Sequence, residues 1–367
     1  MWGQERTKTW TTISATISAG DTSFTVSEAV DWQVGEEIVV ASTDYEHTHA
    51  ERRTITNVAG NTFTVDSAFE HKHLSVVETY DSTNLRIEAE VGLLTRNIKM
   101  HGDESSETID GEYGSHLMMV GSAEQGTVAH VGYTEFFHCG QPRVVGRYCI
   151  HFHMNGDVAD SQVKGVAVHD SFARIITIHA VQYLRVSEAV GYKIKGHNFF
   201  IEDGIETQNI IENNLVISSL ESWNMMQTDI SVASFWITNP TNHLRNNRAA
   251  GGDFYGFWYE VKEHPDGPSA TTDICPMGNP LGESHDNVAH SYRRFGLRIF
   301  KLASREKPCE PLHVGGAEDP WASNPSILAH FYNYVCYKNG EAGLLSEETG
   351  NMLFENFTLA DNKMAGM

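Results

Sequence analysis

Two histidines and a glutamate end three short apolar runs that follow one another along the chain. These side chains are His153, His179 and Glu202, and the runs occupy residues 150–153, 176–179 and 199–202. Positions 150, 176 and 199 are 26 and then 23 residues apart, which suits single turns of a repeating structure. Imidazole and carboxylate groups transfer protons and also ligate metal ions. The pattern therefore predicts a shared acid/base or metal site.

The alternation of strand side chains assigns these three residues to one outward column. In a strand, successive side chains point to opposite faces, so the apolar residues of each run are predicted to stack inside. His153, His179 and Glu202 then face outward together. Adjacent coils of a parallel sheet lie about 4.8 Å apart, which brings the members of a column within reach of one another.

A second outward column is rich in aromatic rings. It contains His151, Thr177 and Phe200, followed in the same phase by Trp236 and Trp258. Aromatic faces pack on the apolar faces of sugar rings, while neighbouring imidazoles and carboxylates can transfer a proton to a glycosidic oxygen. We therefore predict that the aromatic members of this column bind a glycan.

Each candidate residue has a predicted role. The predicted catalytic residues are His153, His179, Glu202 and Asp203. The predicted substrate-binding residues are His151, Arg147, Arg174, Phe200, Trp236 and Trp258, with the arginines placed to bind a uronate carboxylate. The alternative is that the stacked histidines form only a structural hydrogen-bonded ladder.

His153, His179 and Glu202 are also predicted, in an alternative role, to hold a divalent metal. Two imidazoles and a carboxylate suit zinc, manganese or iron better than calcium. The oxygen-rich stretch formed by Glu202, Asp203 and Glu206 would instead suit calcium. The predicted cofactor is therefore calcium or zinc, and a metal-free acid/base pair stays open beside it.

Short β-type runs broken by turn residues extend over the whole chain, and 3.6-residue periodicity is scarce. Residues 1–84 are predicted to form a small antiparallel β-unit. Residues 85–367 carry imperfect repeats of strand and turn, with asparagine recurring at positions 214, 247, 287, 333 and 356. This predicts a right-handed, single-stranded parallel β-helix of the all-β class, with loop insertions near 262–283 and 302–325. A β-sandwich is the competing all-β arrangement.

Composition narrows the classes of partner. The 367 residues include 26 basic and 48 acidic side chains, a formal charge of −22, which disfavours nucleic acid as a partner. No apolar run reaches the roughly 18 residues of a membrane span, so no membrane contact by this chain is predicted. The first residues lack the apolar region of a signal peptide, and we expect the chain to begin inside a longer protein.

The five cysteines are an odd number without CxxC spacing, which indicates neither a zinc ribbon nor a dense disulfide scaffold. Cys275 and Cys309 lie in proline-containing loops and could pair. Cys149 and Cys336 lie in apolar runs, where a buried free thiol is the usual state.

Three strings resemble a known family. RYCIHFHM (147–154), HDSFARIITIH (169–179) and GHNFFIEDGIE (196–206) are similar to strings in the family of fibrocystin-L, the cell migration-inducing hyaluronan-binding protein and the transmembrane cell-surface hyaluronidase. The resemblance extends through residues 29–43 and 91–102, and Cys149 stands where the family usually has proline. It implies an extracellular or cell-surface β-helix of the pectate-lyase-like kind that follows the end of a G8 domain.

Activity within that family is not uniform. Some members are described as hyaluronan depolymerases and others as hyaluronan binders. The resemblance and the two columns together favour an enzyme, a glycoside hydrolase or polysaccharide lyase that acts on hyaluronan or a related glycan. The alternative hypothesis is a non-catalytic carbohydrate-binding or structural module of a large ectodomain.

Overall fold

A computed structural model describes residues 1–80, 83–310 and 324–367. Its first eight strands are β1 (Trp10–Thr12), β2 (Ser23–Thr25), β3 (Glu37–Val40), β4 (Glu51–Ala59), β5 (Thr62–Val65), β6 (Ser75–Tyr80), β7 (Thr83–Glu88) and β8 (Glu90–Leu93). Six of them form an antiparallel sheet in the order β1-β8-β3-β4-β5-β2, and β6 and β7 form a hairpin. We call these strands the N-terminal unit.

Twenty-five further strands follow among the residues that the structure describes. They are β9 (Ile98–His101), β10 (Leu117–Val120), β11 (His130–Gly132), β12 (Thr134–Phe137), β13 (Ile150–Asp157), β14 (Gln162–Lys164), β15 (Ala167–Ser171), β16 (Ile176–Gln182), β17 (Arg185–Ser187), β18 (Val190–Lys195), β19 (Phe199–Ile201), β20 (Ile210–Glu212), β21 (Leu215–Leu220), β22 (Ala233–Ile237), β23 (His243–Arg245), β24 (Arg248–Gly252), β25 (Tyr255–Glu260), β26 (Ser284–His285), β27 (Val288–Tyr292), β28 (Phe295–Phe300), β29 (Ala329–Tyr332), β30 (Val335–Tyr337), β31 (Leu344–Glu347), β32 (Met352–Glu355) and β33 (Thr358–Ala360).

In the described part of the chain, helix is confined to short turns. They are the α-helical turn α1 (Ser106–Ile109) and the 3₁₀ turns His47–His49, Ala123–Gln125, Gln227–Ser231, Gly267–Ser269 and Pro276–Gly278. Within the described ranges, none of these helices has the length and apolar character that crossing a bilayer would require.

The later strands form three parallel sheets that the chain visits in turn. The first sheet has the order β10-β13-β16-β19-β22-β25-β28-β31, the second β11-β14-β17-β20-β23-β26-β29-β32, and the third β33-β30-β27-β24-β21-β18-β15-β12-β9. Each strand pairs with the strand three places further along the chain, so every coil contributes one strand to each sheet. This arrangement confirms the predicted all-β parallel β-helix and its antiparallel N-terminal unit.

Apolar side chains stack inside the β-helix in the predicted register. Ile150 lies opposite Ile176, and Ile176 lies opposite Phe199. Phe199 then stacks on Phe235 with ring centroids 4.8 Å apart, and Phe235 stacks on Phe257 at 4.7 Å. Continuous apolar columns of this kind remove large areas from water, which is the main favourable contribution to folding.

Two asparagine ladders run side by side along one turn of the coils. In the buried ladder, Asn214 Nδ2 donates to Asn247 Oδ1 at 3.0 Å, and Asn247 Nδ2 donates to Asn287 Oδ1 at 3.2 Å. The residues just before these, such as Asn213 and Asn246, have φ values of +55° and +50°. Neighbouring asparagines therefore have two different roles, since one bonds along the axis of the β-helix and the other adopts the left-handed turn.

The N-terminal unit packs against the third sheet. Val39 and Leu94 share an apolar cluster with Tyr192 and other residues of that sheet. His290 Nε2 lies 3.0 Å from Glu90 Oε2 across this contact. The predicted domain boundary at residue 84 stays a prediction, and the antiparallel sheet itself continues to the end of β8.

Two disulfide bonds are present among the described residues. Cys275 pairs with Cys309 as predicted, and Cys336 is a buried free thiol. The prediction for Cys149 is wrong, because it pairs with Cys139, whose Cα lies 5.1 Å away. The intervening loop folds back, so residues at the end of one coil and the start of the next meet at a corner of the β-helix.

The two predicted insertions differ in how far the structure describes them. Residues 262–283 connect β25 to β26 with two 3₁₀ turns and no strand. The predicted loop at 302–325 falls largely on residues 311–323, which lie outside the described residues.

Glu51 is a buried carboxylate that makes the N-terminal unit sensitive to acid. It accepts hydrogen bonds from His73 Nε2 at 3.0 Å and from the His71 backbone N–H at 2.8 Å. Burial alone would raise the pKa of Glu51, but these bonds and the charge of Arg53 lower it from 4.5 to about 2. A depressed pKa stabilises the fold above the unfolded-state pKa, and that contribution is lost as the pH falls through the folded-state pKa. We expect a loss of about 3 kcal/mol between about pH 5 and pH 2.

Urea denaturation over this pH range measures the effect. Glu51→Gln should be less stable than the parent at neutral pH and should lose less stability on acidification. The exposed Glu46→Gln serves as the control and should follow the parent curve. A Glu51→Gln curve with the parent's full acid dependence would contradict the assignment.

Candidate functional site

The register of the first sheet brings three histidine rings together on its outer face. β13 and β16 pair with His153 opposite His179 and His151 opposite Thr177. The His151 ring is nearly parallel to that of His179, with centroids 5.9 Å apart, and meets His153 edge-on at 5.0 Å. The first two members of the predicted acid/base column are therefore neighbours. His151, predicted to bind sugar, joins them as a third imidazole.

His151 is oriented by the backbone of Gly146. The Nδ1 atom of His151 lies 2.7 Å from the Gly146 carbonyl oxygen, which requires the proton on that nitrogen. Gly146 has a φ of +88°, a conformation that favours glycine. The other ring nitrogen, Nε2, is buried without a hydrogen-bond partner among the described residues. Burial lowers the pKa of His151 to about 3, so the ring is neutral and Nε2 presents a lone pair.

His179 connects His153 to two carboxylates. Its Nδ1 atom lies 3.2 Å from His153 Nδ1 and 3.6 Å from Glu202 Oε2. Its Nε2 atom lies 2.9 Å from Asp203 Oδ2. An ionised carboxylate only accepts hydrogen bonds, so Nε2 of His179 carries a proton. The two facing Nδ1 atoms can then share one further proton.

The third member of the predicted column lies outside the sheet. β19 ends at Ile201, the last residue paired with β16, so Glu202 begins a turn rather than continuing the strand. The chain turns through Gly204, whose φ is +100°, and this turn points Asp203 at His179. Glu202 still lies next to His179 as predicted, with Oε2 3.6 Å from Nδ1. Asp203 makes the direct hydrogen bond to His179, and Glu202 lies beside the opposite ring nitrogen.

Glu206 clamps this turn to the coil that carries His179. Its buried carboxylate accepts the backbone N–H groups of Ala180 at 2.8 Å, Asp203 at 3.1 Å and Gly204 at 2.7 Å. Both carboxylate oxygens are thereby occupied. Glu206 is placed as a positioning residue, and the calcium site suggested for Glu202, Asp203 and Glu206 stays a prediction.

The environment drives neighbouring pKa values apart. Burial raises the pKa of Glu202, although the charge of Arg174 opposes the shift. Burial would also raise the pKa of Asp203, but its hydrogen bond to His179 holds that pKa below its usual range. Burial would lower the pKa of His179, yet Asp203 and Glu202 raise it. Burial and the charge of His179 lower the pKa of His153. Carboxylates whose pKa values diverge are a common arrangement for acid/base chemistry.

The aromatic column forms in the predicted register but is covered. Phe200 lies opposite Trp236, and Trp236 lies opposite Trp258. These side chains are only 2%, 3% and 7% exposed. The guanidinium of Arg174 lies 3.5 Å above the Phe200 ring, and that of Arg298 lies 4.6 Å above Trp258. The rings are therefore not the open sugar platform that the sequence predicts.

Arg174 is likewise withdrawn from solvent. Its side chain is fully buried, and Nη2 donates to Asp229 Oδ2 at 2.7 Å. Asp229 belongs to residues 221–232, a connection between β21 and β22 that we call the covering segment. Asp229 lies 55 residues from Arg174 in the sequence, so no local sequence pattern could have identified this ion pair. As placed, Arg174 is not available to a uronate group.

Arg147 keeps a more accessible position. It is half-buried in the loop before β13, where Nη1 donates to Gln141 Oε1 at 2.8 Å. Its predicted role in binding a uronate carboxylate stays a prediction. The Gly146 carbonyl that orients His151 could not be predicted, because any residue type offers a backbone carbonyl as an acceptor.

The residues best placed to hold a metal ion differ from the predicted set. One ring nitrogen from each of His151, His153 and His179 lies within 4.8 Å of the others. Glu202 is not in this group. A bound metal ion remains a prediction, and the three histidine nitrogens are its candidate ligands.

This protein is a parallel β-helix protein that carries a histidine and carboxylate cluster on the outer face of one sheet. More particularly, the chain belongs to the CEMIP beta-helix family, whose model matches residues 112–297. The resemblance carried by the three strings between residues 147 and 206 is thereby confirmed.

Two relatives and one solved structure illustrate the similarity. The chain is 37% identical to mouse fibrocystin-L over 98% of this chain and 9% of that protein. It is 30% identical to human cell surface hyaluronidase CEMIP2 over 92% of this chain and 28% of that protein. The catalytic domain of a GH87 alpha-1,3-glucanase in complex with tetrasaccharides matches 99% of this chain and 96% of that domain, with 9% identity and a TM-score of 0.36. The chain thus spans less than a third of either relative.

Proposed function

We propose that this chain is the glycan-acting β-helix of an extracellular or cell-surface protein and that its histidine and carboxylate cluster cleaves a polysaccharide. The observation that carries the proposal is the close approach of His153, His179 and Glu202. The two ring nitrogens are hydrogen-bonded at 3.2 Å, and Glu202 Oε2 lies 3.6 Å from His179 Nδ1, so a base and an acid lie side by side. The name of the relative CEMIP2, a cell surface hyaluronidase, supports a glycan as substrate.

The two ends of the cluster have complementary roles, with Glu202 as the acid and His153 as the base. Glu202 has a side chain only 14% exposed and an Oε2 atom without a hydrogen-bond partner among the described residues. It is placed to give a proton to a glycosidic oxygen as the bond breaks. His153, half-buried and at the solvent side of the cluster, takes a proton from water in hydrolysis or from the sugar ring in elimination.

His179 restores the starting state. After cleavage His153 holds an extra proton and Glu202 lacks one, and His179 Nδ1 contacts both. A transfer through this nitrogen resets the cluster without a net change in charge. Asp203 and Glu206 act as positioning residues, because they fix the His179 ring and the turn behind it.

A non-catalytic carbohydrate-binding or structural module is the second candidate. The burial of Phe200, Trp236 and Trp258 favours it, because an enzyme that grips a polymer usually exposes rings to the sugar. In that case the histidine cluster stabilises the fold or binds a ligand without turnover.

Depolymerisation of defined glycans by the 367-residue chain tests the proposal. Hyaluronan, chondroitin and a neutral glucan are incubated with the protein, with and without divalent metal ions, and their sizes are followed by gel filtration. We expect at least one polymer, with hyaluronan the first candidate, to be shortened. An ultraviolet-absorbing unsaturated uronate among the products identifies elimination, and its absence from shortened hyaluronan identifies hydrolysis.

The double variant His179→Ala/Glu202→Ala serves as the inactive comparison, with circular dichroism to verify its fold. It should leave every polymer intact. If the parent shortens none of the glycans under any condition, or if the folded double variant shortens them as fast as the parent, the proposed enzyme is refuted.

A further inference from the structure

We infer that His151, His153 and His179 form a three-histidine site for a first-row divalent transition metal of the zinc type. The inference stands on the geometry of the ligands and not on glycan cleavage. An ion bound at His179 Nδ1 would take the lone pair that the proposed proton transfer uses, so that transfer belongs to the metal-free protein. It replaces the metal set predicted from the sequence, in which Glu202 was the third ligand.

The spacing of the nitrogens suits one small ion. Zinc–nitrogen bonds of about 2.0–2.1 Å in tetrahedral geometry place two ligand atoms about 3.3 Å apart. The Nδ1 atoms of His153 and His179 are 3.2 Å apart. One nitrogen of the third imidazole, that of His151, lies within 4.8 Å of a nitrogen of each of the other two rings.

An unpartnered nitrogen identifies the ligand atom of His151. Its Nδ1 donates to the Gly146 carbonyl oxygen at 2.7 Å, which fixes the tautomer and leaves the lone pair on Nε2. That Nε2 is buried in a residue only 2% exposed and has no hydrogen-bond partner among the described residues. A buried acceptor without a donor is costly, and a metal ion would satisfy it.

His179 has the outer contacts that metal-binding histidines usually have. Its Nε2–H donates to Asp203 Oδ2 at 2.9 Å, leaving Nδ1 to face His153 and the site. Asp203 is in turn held by the turn that Glu206 clamps. A carboxylate that receives the second N–H of a ligating imidazole orients the ring and strengthens it as a ligand.

The nature of the ligands selects the metal. Three imidazole nitrogens suit zinc, cobalt, nickel or copper, whereas calcium takes oxygen ligands. Glu202 Oε2, unpartnered and 3.6 Å from His179 Nδ1, lies close enough to complete the coordination or to bond a metal-bound water. Three protein ligands and one exchangeable position are the usual arrangement of a reactive zinc site.

Metal uptake by the 367-residue chain tests the inference. The protein is stripped with a chelator and titrated with Zn²⁺ or Co²⁺, followed by elemental analysis after desalting. We expect one ion per chain, intense visible bands for the four-coordinate Co²⁺ form and a higher melting temperature with Zn²⁺. His153→Ala changes the least buried ligand and should weaken binding at least about a hundredfold, and Asp203→Asn by roughly 10- to 100-fold.

His130→Ala, which removes an exposed histidine from the second sheet, should bind like the parent. His151→Phe keeps an aromatic ring in the packing and provides a second ligand variant if another fails to fold. The inference is overturned if the parent retains no stoichiometric metal, or if folded His153→Ala and His151→Phe bind as tightly as the parent. Metal binding without glycan cleavage would refute the proposed enzyme and leave the metal site standing. Glycan cleavage by protein that binds no metal would support the enzyme and refute the metal site.

Discussion

Asp229→Ala is expected to lower the free energy of unfolding by roughly 3–5 kcal/mol. Asp229 and Arg174 form an ion pair whose two side chains are both fully buried. Without the carboxylate, the Arg174 guanidinium stays in the interior without its hydrogen-bonded partner, and the His197 backbone N–H loses the acceptor it now reaches at 2.9 Å. Removing one partner of a buried pair costs far more than the pair itself contributes.

Urea denaturation measures the loss, with two companion variants. The exposed Asp160→Ala should change stability by less than about 0.5 kcal/mol. Replacing both partners with leucine, Arg174→Leu/Asp229→Leu, should recover at least half of the loss, because it leaves no buried charge. A loss below about 1 kcal/mol in Asp229→Ala would show that Arg174 can reach solvent and that the covering segment is not pinned by this contact.

Glu202→Gln is expected to slow glycan cleavage by a factor of roughly 10²–10⁴. The amide keeps the shape and packing of the side chain but has no acidic proton to give to the glycosidic oxygen. The substrate's KM should change little, since the variant alters proton transfer and not contacts with the sugar. Initial rates of depolymerisation over a range of substrate concentrations separate these two effects.

The matched control for Glu202→Gln is Asp157→Asn, which neutralises an exposed carboxylate at the end of β13. It should keep the parent's rate. Equal rates for Glu202→Gln and the parent would remove Glu202 from the chemistry and would assign the proton donor elsewhere in the cluster. A large rise in KM with unchanged kcat would instead make Glu202 a sugar-binding residue.

Much of the β-helix could be predicted because its rule is local. A strand alternates its side chains, so the apolar residues of 150–153, 176–179 and 199–202 could be aligned before any contact was known. The pairing of His153 with His179 and of Phe200 with Trp236 follows from that alignment. Register within a sheet with a buried face is strongly specified, since a slip of one residue would expose every apolar side chain.

The parts of the site that were not predicted lie where the strand rule stops. The hydrogen bond from His179 to Asp203 does not follow from strand alternation, because β19 ends at Ile201 and a turn directs the next side chains. Cys149 was assigned a free thiol because its neighbours are apolar, yet the corner of the coil places Cys139 beside it. Phe200 and Trp236 were assigned to an open face because nothing local indicates that Arg174 and His197 cover them.

The sequence by itself determined the coil length, the inward stack and the meeting of His153 with His179 on one face, because these follow from short-range periodicity. The tertiary structure alone decided which carboxylate meets His179, which nitrogen of His151 is free and whether the aromatic rings face solvent. Those outcomes depend on a turn through Gly204, a carbonyl of Gly146 and a buried contact between residues 174 and 229. Turns, backbone acceptors and long-range ion pairs impose no period on the sequence, so only the folded chain specifies them.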